Sequence, residues 1–219
     1  SCGWNRADMS TQTGYSYFDG CNGNQNGFNF NNQVFISVDR WYGVRWSTAM
    51  ITSANDGIIG TCGAIASSAT GLNISGGPNR VTVTEFSSIG SNVAGITINC
   101  NALSAETLTS YSCNSSGVTL EGRGISITTL KSEQSSVTAI LISGTNINNM
   151  NLGTVEASNS VTGMSFSTNV MDLRIKSLTC ASNSGTGLSP SCGINNRIDA
   201  ATITGNGTAI ALSATTFIN

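Results

Sequence analysis

The chain has no histidine and only two prolines among its 219 residues. Without histidine, no Ser-His-Asp or Cys-His arrangement can form within it. A zinc site would lack its usual nitrogen ligand, and no C-x-x-C pair offers the sulfur alternative. Charge is scarce as well: 9% of residues are charged, nine basic and eleven acidic, for a net charge of −2. The basic residues are spread along the chain, so no nucleic-acid partner is expected. No apolar run approaches the roughly 18 residues of a membrane helix, so no membrane partner is expected either. No glycine-rich nucleotide loop joins a strand to a helix, and we expect no cofactor. The chain starts at Ser1 with no Met and no signal peptide, which we read as a processed protein or an excised fragment. Low charge does not make it disordered. Hydrophobic residues supply 39% of the chain, and Ser, Thr, Asn and Gly most of the rest.

What is present is a repeat. Apolar triplets start at Ile36, Ile59, Val81, Leu103, Ile125, Met150, Leu173 and Ile198, a step of 22 to 25 residues. Two positions on stand Val38, Thr61, Val83, Ala105, Ile127, Leu152, Ile175 and Ala200. Five positions on stand Trp41, Phe86, Leu108, Leu130, Val155, Leu178 and Ile203, with the second unit slipping to Ile65. Each unit closes on a small residue and an apolar-x-apolar pair, as in Gly71-Leu72-Asn73-Ile74, Gly95-Ile96-Thr97-Ile98 and Gly117-Val118-Thr119-Leu120. Period-two alternation is a strand signal, and nothing keeps the three-four spacing of a helix. A fixed period of this length predicts a solenoid whose repeats stack on one another.

The expected fold is therefore all-β: a right-handed parallel β-helix of about eight rungs, each with about three short strands. At about 4.8 Å per rung the rod would be roughly 40 Å long. Residues 1–219 read as a single domain: an aromatic-rich N-terminal cap and partial rung over 1–30, rungs over 31–213 and a tail over 214–219. Leu108, Leu130, Val155, Leu178 and Ile203 are expected to form one buried column.

Seven cysteines are many for this length. Three close pairs can form local bridges: Cys2 with Cys21, Cys100 with Cys113, and Cys180 with Cys192, leaving Cys62 over. Equally, several can be small apolar core or turn residues, because connectivity is not legible in sequence.

With histidine chemistry excluded, carboxylates remain. Glu85 and Glu106 lie at similar places in successive rungs and should be neighbours on one flank. Two close carboxylates can do acid/base work on a glycosidic bond; the alternative is a pair of solvated turn residues. Arg174 and Lys176 lie on a comparable flank, several rungs away. Ten of the fourteen aromatic residues, including all three Trp, fall in the first 46 positions. Aromatic faces beside polar groups suit sugar rings, and Asp39, Tyr42, Arg45 and Trp46 are the candidate carbohydrate-binding residues. The alternative is a cap over the open end of the core, and Trp41 by its register belongs to the core.

The rung length, the Gly-x-Thr-Ile and Asn-rich corners and the scarce charge resemble right-handed parallel β-helix proteins of the pectin-lyase-like type. Among these, the chain is most similar to the shafts of phage tailspikes and tail fibres. Asp39-Arg40-Trp41-Tyr42-Gly43-Val44 and Gly95-Ile96-Thr97-Ile98-Asn99 carry the likeness, which covers residues 27–213. It implies a homotrimer, extracellular or on a virion surface, that recognises bacterial surface polysaccharide and in some members cleaves it. The chain departs from the pattern in lacking the Asp cluster with which pectate lyases hold calcium. Its cysteine content is also high for a protein made in a reducing cytoplasm. Three function classes follow: a receptor-binding fibre or adhesin, a polysaccharide hydrolase or lyase, and a purely structural fibre subunit. An ice-binding surface is a weaker fourth, because Thr82-Val83-Thr84 and Thr202-Ile203-Thr204 are not repeated rung after rung.

Overall fold

Alternation puts successive side chains on opposite sides of a strand. In the computed structural model, the inward set of each repeat stacks on the inward set of the next. The structure describes residues 4–5, 12–19, 28–30, 35–45, 47–48, 50–52, 56–75, 80–145, 147–167, 169–191 and 193–211, with side chains described from 37 onward except 50–52. No helix occurs among them. Two parallel sheets run the length of the coil, which has about seven turns rather than eight. One sheet stacks the long strands, among them Arg80–Ile89, Leu103–Tyr111, Ile125–Glu133, Ile147–Ser158 and Val170–Ala181. The other stacks the short strands, such as Leu72–Ile74, Ile96–Cys100, Val118–Gly122, Thr138–Ile142 and Thr162–Phe166. Strand pairing is parallel throughout, between strands one turn apart.

Each long strand is bent. In Leu103–Tyr111, Leu103 and Ala105 point inward, Glu106 and Thr107 both face out, and Leu108 and Ser110 point inward again. One long strand therefore covers two faces of the coil and a short strand the third, consistent with the expected three segments per repeat. The central column runs Trp41, Cys62, Phe86, Leu108, Leu130, Val155 and Leu178 in register. All seven are at most 1% exposed, so Trp41 is core as its register predicted.

Two units depart from the expected frame. The second packs Ile59 between Val38 and Val83 and places Cys62 in the central column. Its Gly57 stands opposite Val81, and Ile65 is 39% exposed instead of buried. In the last unit, Ile198 stacks on Ile175, Ala201 follows Leu178 in the central column and Ile203 follows Cys180. Both differences are shifts of two residues. A shift of two keeps the alternation on either side of the bend, but across the bend it turns Thr61 and Ala200 outward and brings Cys62 into the core.

Where the long strands end, the described turns each use one residue in the left-handed region: Arg45, Ala66, Gly90, Ser112, Gln134, Asn159, Ser182 and Gly205. Except for Gly205 in the last turn, their amides donate to the carbonyl one turn on, as from Ser112 to Glu133 (3.0 Å) and from Asn159 to Ala181 (3.1 Å). Behind this corner the interior narrows and requires small residues. A Cβ on Gly95 would stand 2.0 Å from Ser110 Oγ and 2.6 Å from the Gly117 carbonyl. Buried polar side chains fill the space as i, i+3 pairs: Ser88 with Ser91 (2.8 Å), Ser110 with Cys113 (3.1 Å) and Ser132 with Ser135 (3.4 Å). Further along, asparagines take over. Asn183 Oδ1 accepts from the Ser160 amide (3.1 Å), and Asn206 Oδ1 accepts from both the backbone amide of Asn183 (2.9 Å) and its Nδ2 (2.8 Å).

This corner explains the cysteines and corrects one expected bridge. Cys100 and Cys113 are both free, buried thiols. Cys113 stands where its neighbouring turns carry Ser91 and Ser135, and it contacts Ser110 rather than Cys100. Cys62 and Cys180 are also free and buried, and Cys180 takes the place of Ala157 in its column. Cys2, Cys21 and Cys192 lie outside the described residues. Burial pushes the thiols of Cys62, Cys100 and Cys180 up to about 12, and only a thiolate reacts quickly. Alkylation of the native protein near pH 8, read by peptide mass spectrometry, should leave these three unmodified until the chain is unfolded. Rapid native labelling of Cys100 would contradict its placement.

Candidate functional site

The outward positions of the bent strands form columns of hydroxyls and amides. Ser104, Ser126 and Asn151 make one column, continued by Arg174 and Arg197. Thr107, Thr129 and Thr154 make another, continued by Ser177. Between them, at the bend, stands Gly153. A Cβ there would lie 2.3 Å from the Thr128 carbonyl, so the backbones approach too closely for any side chain. Gly153 lines a surface groove of about 430 Å³, with Ser126, Thr128 and Asn151 on one side and Arg174 and Lys176 on the other.

Asp199 closes the basic end of this groove. Arg174 donates to its Oδ2 from Nε (3.2 Å) and Nη2 (2.9 Å), and Arg197 contacts its Oδ1. The Arg174 hydrogen bonds, with help from Arg197, hold the Asp199 carboxyl below the usual carboxylate range. Lys176 is exposed and has no ion pair among the described residues. Elsewhere on the outer face, two cations are matched by acids: Arg80 with Asp56 (3.3 Å), and Lys131 with Glu133 (2.9 Å) and Glu156 (3.3 Å). A second depression, of about 390 Å³, follows the left-handed corner at Gln134, Asn159 and Ser182. Its lining is neutral.

The candidate residues from sequence fall elsewhere. Glu85 and Glu106 are both exposed at the bend, on adjacent turns, but offset: Glu85 pairs with Thr107, one residue past Glu106. Their Cα atoms are then roughly 6 Å apart, from about 3.3 Å along a strand and about 4.8 Å between strands. Neither lines the groove. Asp39 and Tyr42 lie on the strand Phe35–Val44, and Arg45 follows it at the corner. Six residues separate Asp39 from Arg45, at most roughly 20 Å at about 3.3 Å per residue, so the three are spread along a strand rather than gathered in a pocket. Tyr42 is half-buried, and its ring covers Gly63 on the next turn, 2.8 Å from where a Cβ would stand. Trp46 lies outside the described residues. Thr82-Val83-Thr84 is not continued on the adjacent turns, as its sequence indicated: the neighbours of Thr82 in register are Ile58 and Ser104.

Sequence reasoning missed the groove itself. Gly153 was its available signal: a glycine in a strand, at an outward position, marks a bulge or a close backbone approach. Among the described residues no group of three acids or thiols gathers as a metal site. The parallel coil agrees with the architecture that the β-helix resemblance implied. No family model, no curated protein and no solved structure matches this chain.

Proposed function

We propose that this chain is a structural and receptor-binding β-solenoid of a viral tail fibre, tailspike or surface adhesin, and that it recognises cell-surface polysaccharide. The observation that carries the reading is the outer face of stacked Ser, Thr and Asn columns opening into the groove over Gly153. Such a face offers donors and acceptors at a spacing of about 4.8 Å along the rod, and sugar hydroxyls need both. A rigid coil loses little conformational entropy on binding, because its strands already hold the contacting groups in place. An extracellular or virion-surface location and a trimeric or fibrous assembly belong to the same proposal.

Two further readings have their own observations. Polysaccharide cleavage rests on Glu85 and Glu106, which share one bend on adjacent turns. Retaining glycosidases hold their carboxyl groups about 5–5.5 Å apart and inverting ones about 6.5–9.5 Å, so the roughly 6 Å Cα separation admits such a pair. A purely structural subunit is favoured by the exposed apolar ladder Ile65, Ile89 and Tyr111, stacked in register at 39%, 43% and 42% exposure. A ladder of that kind suits side-by-side packing of coils.

One experiment separates the three. Incubate the chain with a panel of bacterial surface polysaccharides and score both retained binding and new reducing ends. Binding without cleavage is the expected result. New reducing ends that disappear in Glu85→Gln and Glu106→Gln would establish the enzyme instead. Neither binding nor cleavage, with higher oligomers in sedimentation, would leave the structural subunit.

A further inference from the structure

We propose that the groove over Gly153 binds a carboxylated sugar residue, so that the polysaccharide recognised by this coil is an acidic one. The inference rests on the glycan-binding reading above and adds the ligand chemistry to it.

The charge distribution carries the argument. The chain as a whole is acidic, at −2, yet two of its nine basic residues, Arg174 and Lys176, line this groove, and a third, Arg197, stands behind it against Asp199. Asp199 is the one acid among the groove-lining residues, and it is engaged by both arginines. The groove-lining charges are two positive and one negative, an excess of one at neutral pH, and Arg197 adds a further positive charge just outside the lining. Elsewhere among the described residues, Arg80 and Lys131 are paired with acids, and the exposed Arg40 and Arg123 stand singly instead of two to a groove.

The geometry is specific as well. Arg174 and Lys176 are two residues apart on one strand, so their side chains leave the same face about 6.6 Å apart along it. Asp199 Oδ2 takes Nε and Nη2 of Arg174, which fixes the guanidinium and leaves Nη1 for an incoming anion. Lys176 supplies a second, mobile point charge. Opposite them stand the neutral side chains of Ser126, Thr128 and Asn151. A carboxylate would sit between Arg174 and Lys176, and the ring hydroxyls of the same sugar would meet the neutral wall. A volume of about 430 Å³ lies within the usual 300–1,000 Å³ or so of ligand sites. Gly153 gives the groove a stretch of floor without a side chain.

The test uses the full chain and three probes: a glucuronic-acid oligomer, the same oligomer with its carboxyls reduced to alcohols, and a sulfated glucan of matched length. Affinity is read by calorimetry at low and at physiological salt. The glucuronic-acid oligomer should bind at least about tenfold more tightly than its reduced form, and added salt should weaken it because the charges are exposed. Lys176→Gln and the double variant Arg174→Gln/Lys176→Gln should lose most of that advantage while binding the reduced oligomer unchanged. Arg80→Gln, several turns away, should bind like the parent chain. Equal binding of the acidic and reduced oligomers would overturn this inference and leave polysaccharide recognition standing. Preference for the sulfated glucan with no gain for the carboxylate would overturn it too. Binding of none of the probes or of any panel polysaccharide would overturn both.

Discussion

Leu130→Asp should destabilise the coil by about 5 kcal/mol or more. Leu130 has no exposed surface and stacks between Leu108 and Val155 in the central column. Truncating a buried leucine costs about 2–5 kcal/mol on its own, and placing a carboxyl there adds the penalty of an unpaired polar group. Against a usual total of about 5–15 kcal/mol, this loss is large. A solenoid transmits it, because each turn is held mainly by the turns on either side. Urea unfolding followed by circular dichroism checks it, with Leu130→Ala as the milder reference. The pH dependence has a definite sign. Burial raises the folded carboxyl above the unfolded value of about 3.9. The folded state then takes up a proton first as pH falls, and part of the lost stability returns on acidification. An aspartate variant no less stable than the alanine variant at neutral pH would show that position 130 is not enclosed.

Asn183→Leu should cost about 2–4 kcal/mol, although it adds apolar surface to a buried site. Asn183 is 1% exposed. Its Oδ1 accepts from the Ser160 amide (3.1 Å), and its Nδ2 donates to the Ala157 carbonyl (3.2 Å) and to Asn206 Oδ1 (2.8 Å). A leucine would leave the Ser160 N–H without this acceptor inside the corner, and each orphaned buried group costs about 1–3 kcal/mol. The gain from burying a leucine offsets only part of that. Asn114→Leu is the control. Asn114 is exposed and bonds Asn92 side chain to side chain (2.7 Å), so its loss should stay within about 0.5 kcal/mol. Amide exchange at Ser160 gives a local reading that a general loss of packing would not single out. Unchanged protection there in Asn183→Leu would contradict the ladder.

The central column shows how far the sequence could be read. Phe86, Leu108, Leu130, Val155 and Leu178 are large, apolar and evenly spaced, so their stacking follows from period and chemistry. Gly57 breaks that regularity, and the frame of its unit was misplaced by two residues. Apolar alternation on either side of the bend is satisfied in either frame, and pairing with both neighbouring turns selects one. Cys113 and Cys180 were legible as small apolar residues or as bridge partners. The corner geometry decides for the former, because both take places that serine or alanine fills on adjacent turns.

The site divides in the same way. Glu85 and Glu106 were legible as neighbours because similar phases in successive repeats land on one flank. Asp39, Tyr42 and Arg45 drew attention through composition, yet the strand carries them apart. Arg174 and Lys176 were visible only as flank residues. Their grouping with Asp199 depends on the fold bringing the next turn's carboxylate to Arg174 across a sequence separation of 25 residues.

By itself, the sequence determined that this chain coils in parallel turns. Its period sets the length of a turn, its alternation sets which side chains face inward, and both are local properties of the chain. The register of two turns, the fate of four thiols and the groove over Gly153 were decided by the tertiary structure alone. Each depends on what a neighbouring turn places about 4.8 Å away, and a chain read one residue at a time does not contain that neighbour.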